Sequence, residues 1–369
     1  MKTHAIIPIF IPHLGCPNDC VFCNQKVITA RMSPLGKDDV KDIIERYLPT
    51  LSNRGIKIVE VAFYGGSFTG IPIKQQQEYL SVAKWYKDQG LIQKIHLSTR
   101  PDYINDEILT NLKQYDTDII ELGVQSFDEE VLRLSNRGHN RESVFRASKM
   151  IKDYGFELGL QLMIGLPGDT FEKSIESALE TVKINPSIAR IYPTIIIQNT
   201  ELANMHQRGE YAPLTLDEAI KTSKEMYRIL KNSGINVIRI GLKSTDIINE
   251  NGQVIGNTYH PAFRQLVEAE IAKEDLEKQL QEIINSSQNL NKVHQNSTQT
   301  NTQNNTQSDT HIKYLPVICF YSNETSLSYM IGNKKSNKLY FEKKYPHFHF
   351  TFNVDPSLNN QTYRVNIKY

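Results

Sequence analysis

Three of the chain's four cysteines fall within eight residues, in Gly15-Cys16-Pro17-Asn18-Asp19-Cys20-Val21-Phe22-Cys23. Their spacing is C-x3-C-x2-C, and the fourth cysteine, Cys319, lies almost three hundred residues away. Three thiolates on one short loop can hold three irons of a cubane [4Fe-4S] cluster. The fourth iron then has no protein ligand and is open to a small molecule. Gly15 and Pro17 suit a sharply turning loop, and Asn18 and Asp19 tolerate turn conformations. A structural zinc site asks for four ligands, often as two C-x2-C pairs, and only His13 stands near. A disulfide framework asks for an even count in a secreted chain, and neither condition is evident.

A chain of 369 residues has room for one large domain and a smaller one. The net charge of +1 gives no global attraction to nucleic acid or an anionic membrane. No run approaches the roughly eighteen apolar residues of a membrane span. Met1-Lys2-Thr3-His4 leads directly into an apolar segment and lacks the layout of a signal peptide. Sparse cysteine fits a reducing compartment, so a cytoplasmic location is expected, with little oxygen if a cluster is to survive.

The elements that must carry the cysteine loop alternate regularly. Ala5–Ile11 is an apolar run of strand length that feeds straight into the loop. Strands are then predicted over Lys57–Tyr64, Ile95–Ser98, Asp118–Val124, Glu157–Ile164, Ala189–Ile197 and Asn236–Ile240. Helical patterns fall between them at Lys37–Leu48, Lys74–Gln89, Asp106–Gln114, Asp128–Leu134, Arg141–Asp153, Phe171–Lys183 and Leu216–Ser233. This alternation predicts an α/β fold with a parallel sheet and right-handed crossovers. Periodicity alone does not choose between a doubly wound sheet and a partial barrel. In either, ligands gather at the carboxyl ends of the strands.

The cysteine motif, with an aromatic residue before its last cysteine, resembles the signature of the radical S-adenosyl-L-methionine (SAM) superfamily. The resemblance implies a partial (β/α)6-type TIM barrel. It implies that Cys16, Cys20 and Cys23 bind the cluster and that the amino and carboxylate groups of SAM chelate the open iron. One electron then cleaves SAM to a 5′-deoxyadenosyl radical that abstracts hydrogen from a substrate. Phe22 would lie beside the cluster and the adenine. An electron donor such as flavodoxin or ferredoxin is implied as a partner.

Five further elements sit at predicted strand ends in the order of one family. Gly65-Gly66-Ser67-Phe68-Thr69 has Ser67 where the superfamily often has glutamate, and so resembles the radical module of the Elongator catalytic subunit. Thr99-Arg100-Pro101-Asp102-Tyr103 occurs at the same place in Elongator-like enzymes. Gly123-Val124-Gln125-Ser126, Asn136-Arg137-Gly138-His139 and Gly165-Leu166-Pro167-Gly168 complete the set. By this resemblance the cofactor-binding residues are Phe22, Gly65, Gly66, Ser67, Thr99, Arg100, Gln125, Ser126, Arg137 and Gly165. Arg133 is a further cationic candidate, and His139 is a candidate proton donor or a structural histidine. His260-Pro261-Ala262-Phe263-Arg264-Gln265-Leu266-Val267-Glu268 resembles a segment that follows the radical domain in bacterial Elongator-like proteins.

The predicted organisation is a radical core over 1–245, a helical extension over 246–284, a disordered Asn/Gln/Ser/Thr-rich linker over 285–310 and a small basic β-rich module over 311–369. The expected fold is thus the α/β core with a small C-terminal α+β extension. Lys334, Lys335, Lys338, Tyr340, Phe341, Lys343, Lys344 and Tyr345 interleave charge and rings, a pattern open to an RNA surface or to a plain folded module. Cys319 reads as a buried structural cysteine. Nothing in this region resembles the acetyltransferase domain of the Elongator subunit.

The resemblance makes RNA, with tRNA uridine foremost, the expected substrate class. Two alternatives stand beside it: an oxygen-independent coproporphyrinogen oxidase-like enzyme, which shares only Gly-Val-Gln-Ser and Gly-Leu-Pro-Gly with this chain, and a non-catalytic cluster- and SAM-binding sensor.

Overall fold

A computed structural model describes residues 3–11, 20–23, 35–52, 54–242, 254–297 and 315–368, with the side chains of Ser52 and of the helix end 287–297 left aside. Cys16 lies outside the described residues. The chain forms two compact units, Met1–Pro261 and Ala262–Tyr369.

The first unit is built on seven parallel strands in the order β1-β2-β3-β4-β5-β6-β8. These are β1 (His4–Ile11), β2 (Ile58–Gly65), β3 (Lys94–Thr99), β4 (Ile119–Gln125), β5 (Glu157–Ile164), β6 (Ile188–Pro193) and β8 (Asn236–Ile240). The sheet curls into a half-barrel, in line with the partial barrel expected from the sequence. Helices α1 (Lys37–Ser52), α2 (Ile73–Asp88), α3 (Asp106–Gln114), α4 (Glu129–Leu134), α5 (Arg141–Asp153), α6 (Phe171–Ile184) and α8 (Leu216–Asn232) fall between the strands. Their starts are fixed locally. Asn105, Asp128, Asn140, Thr170 and Thr215 each accept a backbone N–H of the first turn of the helix that follows.

Pairing in register puts the same face of every strand on the same side of the sheet. Val61 and Phe63 on β2, Leu97 on β3, Ile120 and Leu122 on β4, and Leu160 and Leu162 on β5 share one face and are fully buried. The opposite, concave face is polar. It carries Glu60, Tyr64, His96, Glu121, Gln161, Arg190 and Tyr192 at alternate positions. A strand packed on both sides would be apolar at every position. This sheet is packed against helices on one side and lined with polar side chains on the other.

The sequence predicts one strand over Ala189–Ile197, but the structure divides it. Pro193 ends β6, since a proline offers no N–H to the ladder, and Ile196–Ile197 (β7) pairs antiparallel with Val254–Ile255 (β9). The short helix α7 (Glu201–Gln207) follows β7.

The second unit joins a long helix to the C-terminal residues. Helix α9 runs over Phe263–Ser297, past residue 285, where the sequence turns polar. A three-stranded sheet holds β10 (Val317–Ser322) between β11 (His349–Val354) and β12 (Arg364–Lys368). Ala272, Leu276 and Leu280 of α9 share one core with Ile318, Phe320, Met330, Phe341 and Phe350. The three rings of the interleaved basic and aromatic stretch are used inside this unit, while Lys334, Lys335 and Lys343 are exposed. Phe341 is fully buried, and Tyr340, Tyr345 and Lys344 all converge on the Glu277 carboxylate. Cys319 is buried in β10. Among the described residues, no helix is long and apolar enough to cross a membrane.

Candidate functional site

Cys20 and Cys23 flank a tight turn in which the Cys23 N–H donates to the Cys20 carbonyl at 2.9 Å. Two backbone bonds fasten this turn to the half-barrel. The Val21 N–H donates to the Ser135 carbonyl at 3.2 Å, and the Leu202 N–H donates to the Val21 carbonyl at 2.7 Å. Val21 packs with Ile196, Leu202, Ala203 and Tyr211, and Phe22 lies half-buried against the same group. The turn is thus held beside the carboxyl end of the sheet.

Arg137 reaches this turn from the loop after α4. Its Nη1 donates to Cys20 Sγ at 3.1 Å and its Nη2 donates to the Gly123 carbonyl at 2.6 Å. The side chain is buried, and among the described residues no carboxylate pairs with it and its Nε has no partner. A guanidinium is always charged, and burying a charge without an opposite partner is costly. The site therefore calls for negative charge at the Cys20 sulfur. A thiolate supplies it, and so does a thiolate-ligated iron–sulfur cluster, so this donor set fits the cluster that the cysteine spacing predicts. Glycine at 123 keeps the approach open, because a Cβ there would lie 3.1 Å from Gln125 Nε2 and 3.5 Å from Arg137 Nη2.

His139 is buried next to this charge. Its Nε2 donates to the Val124 carbonyl at 3.2 Å, while its Nδ1 has no partner among the described residues. Burial, with the Arg137 charge added to it, lowers the imidazole from 6.5 to about 3. The ring is neutral at physiological pH, which suits a structural hydrogen bond and not a proton donor.

The other residues named from the sequence divide between the strand ends and the turns behind them. Gln125 ends β4 at a bulge with a left-handed φ of 70° and accepts from Gln161 Nε2 at 2.9 Å. Thr99 and Thr69 share a buried hydrogen bond of 2.6 Å, which ties the end of β3 to the turn after β2. Gly66 and Ser67 are buried in that turn, while Gly65 is exposed with a left-handed φ of 102°. Arg100 forks onto Asp102 at 3.0 and 2.8 Å. The Ser126 hydroxyl stands 3.4 Å from Ser177 on α6 and accepts the Asp128 N–H. Gly165 adopts a left-handed φ of 74°, donates its N–H to Asp169 and accepts the Tyr211 hydroxyl at 2.6 Å. Arg133 is exposed on α4.

One polar cluster on the concave face carries no assignment from the sequence. His96 lies between two carboxylates, its Nδ1 at 2.7 Å from Glu60 and its Nε2 at 3.7 Å from Glu121. Arg190 Nε donates to Glu121 at 2.7 Å. Glu60, His96, Glu121 and Arg190 are all buried. Burial pushes the Glu60 carboxyl up, but His96 and His4 outweigh it and hold it below its ordinary value. Burial likewise opposes the Arg190 charge, and Glu121 beside it reverses the balance. The available signal was single polar residues at alternate positions in otherwise apolar strands. Only the shared register across four strands makes them one cluster.

Residues 10–182 match the family described as Radical SAM superfamily, and residues 186–273 match the Radical_SAM C-terminal domain. The chain is 35% identical over 128 residues to a tRNA uridine(34) acetyltransferase of Methanocaldococcus infernus, covering 34% of this chain and 24% of that one. It is 28% identical over 251 residues to Elongator complex protein 3 of Saccharomyces cerevisiae, covering 56% and 45%. A solved structure of Methanocaldococcus infernus Elp3 with an N-terminal deletion shares the fold at a TM-score of 0.58 and 21% identity, covering 75% of this chain and 64% of that one. The chain spans less than two thirds of the length of each of these proteins. This chain belongs to the radical SAM superfamily and carries an Elongator-like radical SAM module.

Proposed function

We propose that this chain is a radical SAM enzyme acting on RNA, with a tRNA uridine as the first substrate to test. Cys16, Cys20 and Cys23 hold a [4Fe-4S] cluster, and SAM binds at the same site. The observation that carries the reading is the buried Arg137 guanidinium on Cys20 Sγ, with no carboxylate partner among the described residues. When bound, the two groups supply a carbon-centred radical able to remove a hydrogen atom from a substrate.

The chain's own residues bind and orient. Arg137 balances charge at the cysteine turn and fixes that turn to β4 through the Gly123 carbonyl. The turn at Gly65, Gly66 and Ser67 offers backbone groups without side-chain bulk, which suits the amino end of SAM. Thr99, Arg100, Gln125, Ser126 and Gly165 shape the remainder of the cofactor pocket, and Phe22 provides an apolar wall at the cysteine turn. A small redox protein such as flavodoxin or ferredoxin delivers the electron. The RNA substrate is supported by one relative, a tRNA uridine(34) acetyltransferase. No acetyl transfer is proposed for this chain, which spans only a part of that protein.

The test is anaerobic reconstitution with iron and sulfide, reduction by dithionite in the presence of SAM, and chromatography for 5′-deoxyadenosine with and without total tRNA. The expected outcome is product formation that rises with tRNA and disappears in Cys20→Ala. An intact, reducible cluster that yields no product in either condition would sink the enzyme reading. Product that ignores RNA would sink the substrate reading.

A further inference from the structure

The buried Glu60–His96–Glu121–Arg190 chain ends in two phenols. Arg190 Nη2 donates to the Tyr64 hydroxyl at 2.7 Å, and Nη1 donates to the Tyr192 hydroxyl at 3.2 Å. The guanidinium also lies over the Tyr64 ring, 5.0 Å from its centroid. A phenol oxygen that accepts from a guanidinium keeps its own proton free to donate. Among the described residues, the other polar contact of the Tyr64 hydroxyl is His96 Nδ1 at 3.5 Å. That nitrogen already donates to Glu60, whose carboxylate can only accept, so it cannot take the Tyr64 proton. Among the described residues, the Tyr192 proton has no acceptor. Burial raises both phenols above their ordinary value, so they stay protonated. Both residues are half-buried, on the concave face.

The surroundings define what these two donors take. Arg190's charge is answered by Glu121, and Glu60 adds a second carboxylate through His96, so the site has little attraction for an anionic group. Neutral carbonyl oxygens are the matching acceptors. Phe10, paired in register with Tyr64 and 6.4 Å from its ring, leaves 39% of its surface exposed on the same face. An exposed ring beside a donor pair suits a flat ligand, since bases stack on aromatic side chains. Of the four RNA bases, uracil presents two carbonyl oxygens on its pairing edge, cytosine and guanine one each, and adenine none.

We propose that Tyr64 and Tyr192 form a paired hydroxyl donor site for the carbonyl oxygens of a uracil-type base, with Arg190 as the positioning residue that aims both. The inference rests on the RNA reading above and names which face of the substrate is read.

The test is equilibrium binding of two fluorescent single-stranded RNA probes to the whole chain, reconstituted anaerobically with SAM present. One probe has a central uridine and the other has 4-thiouridine, whose sulfur is a weaker acceptor. The native chain should prefer uridine by about tenfold, the size of one good hydrogen bond. The Tyr64→Phe, Tyr192→Phe double variant keeps both rings and should bind the two probes alike, with unchanged circular dichroism and cluster absorption. Equal binding of both probes by the native chain overturns the donor site, and this arm needs no variant to fold. A uridine preference that survives in the double variant overturns it as well. If the native chain binds neither probe, the RNA reading itself fails and the uracil assignment fails with it.

Discussion

Arg137 and Arg133 are four residues apart, and spacing alone does not tell which one turns inward. The backbone decides. Helix α4 stops at Leu134, and Asn136 and Gly138 both adopt left-handed φ, of 52° and 72°, on either side of Arg137. That pair of turns carries Arg137 into the site and leaves Arg133 on the surface. His139 then sits where burial and the Arg137 charge both oppose protonation. The folded ring takes a proton only near pH 3, whereas the unfolded ring does so near 6.5. Between those values the unfolded chain binds more protons, so stability should fall as pH drops below about 6.5 and should be insensitive to this group above it. Urea midpoints measured between about pH 7 and about pH 4 should decline less steeply in His139→Gln, which keeps an amide donor but does not titrate. An identical decline would remove His139 from the account. The sequence motif marks 136–139 as a unit; the sign of each side chain's environment comes only from where the helix ends.

At the level of elements, the alternation of strands and helices and most of the motif positions at strand ends were legible from apolar periodicity and turn residues. The two-sided character of the sheet was not. Glu60, His96, Glu121 and Arg190 lie on four different strands, and only parallel register in β2, β3, β4, β5 and β6 puts them together. The split at Pro193 was missed for a related reason: Ile195, Ile196 and Ile197 continue the apolar run, and the strand break rests on a missing N–H. Register also sets a packing limit. A Cβ at Gly159 would lie 2.9 Å from Ile188 Cγ1 and 3.2 Å from Glu121 Cβ. Gly159→Ala should therefore cost about 1–3 kcal/mol, as overpacked sites do, and Ile188→Ala in the same chain should recover part of the loss. Chemical denaturation of the single and double variants checks this, and additive losses would show that the two positions do not meet.

Across the whole molecule, the sequence reading separates a helix ending near 284 from a module starting at 311. In the structure α9 provides one wall of the second unit's core, through Ala272, Leu276 and Leu280. Polar composition after 285 hides that connection, because the residues that pack lie before it. A fragment of residues 262–369 should fold alone with cooperative thermal unfolding, while 311–369 should lack a cooperative transition. Circular dichroism on both decides it; a cooperative 311–369 would show that the helix is dispensable.

The strand order of the first unit has a consequence for how the chain acquires its shape. From β1 to β6 each strand lies beside the one made just before it, and β8 joins the end of that series. Within this seven-stranded sheet each strand after β1 joins the edge left by the sheet strand before it, so loop closure is modest at every step. During synthesis the sheet can extend one strand–helix repeat at a time from the amino end. The ribosome would release a growing edge, and each new strand would find its template already in place.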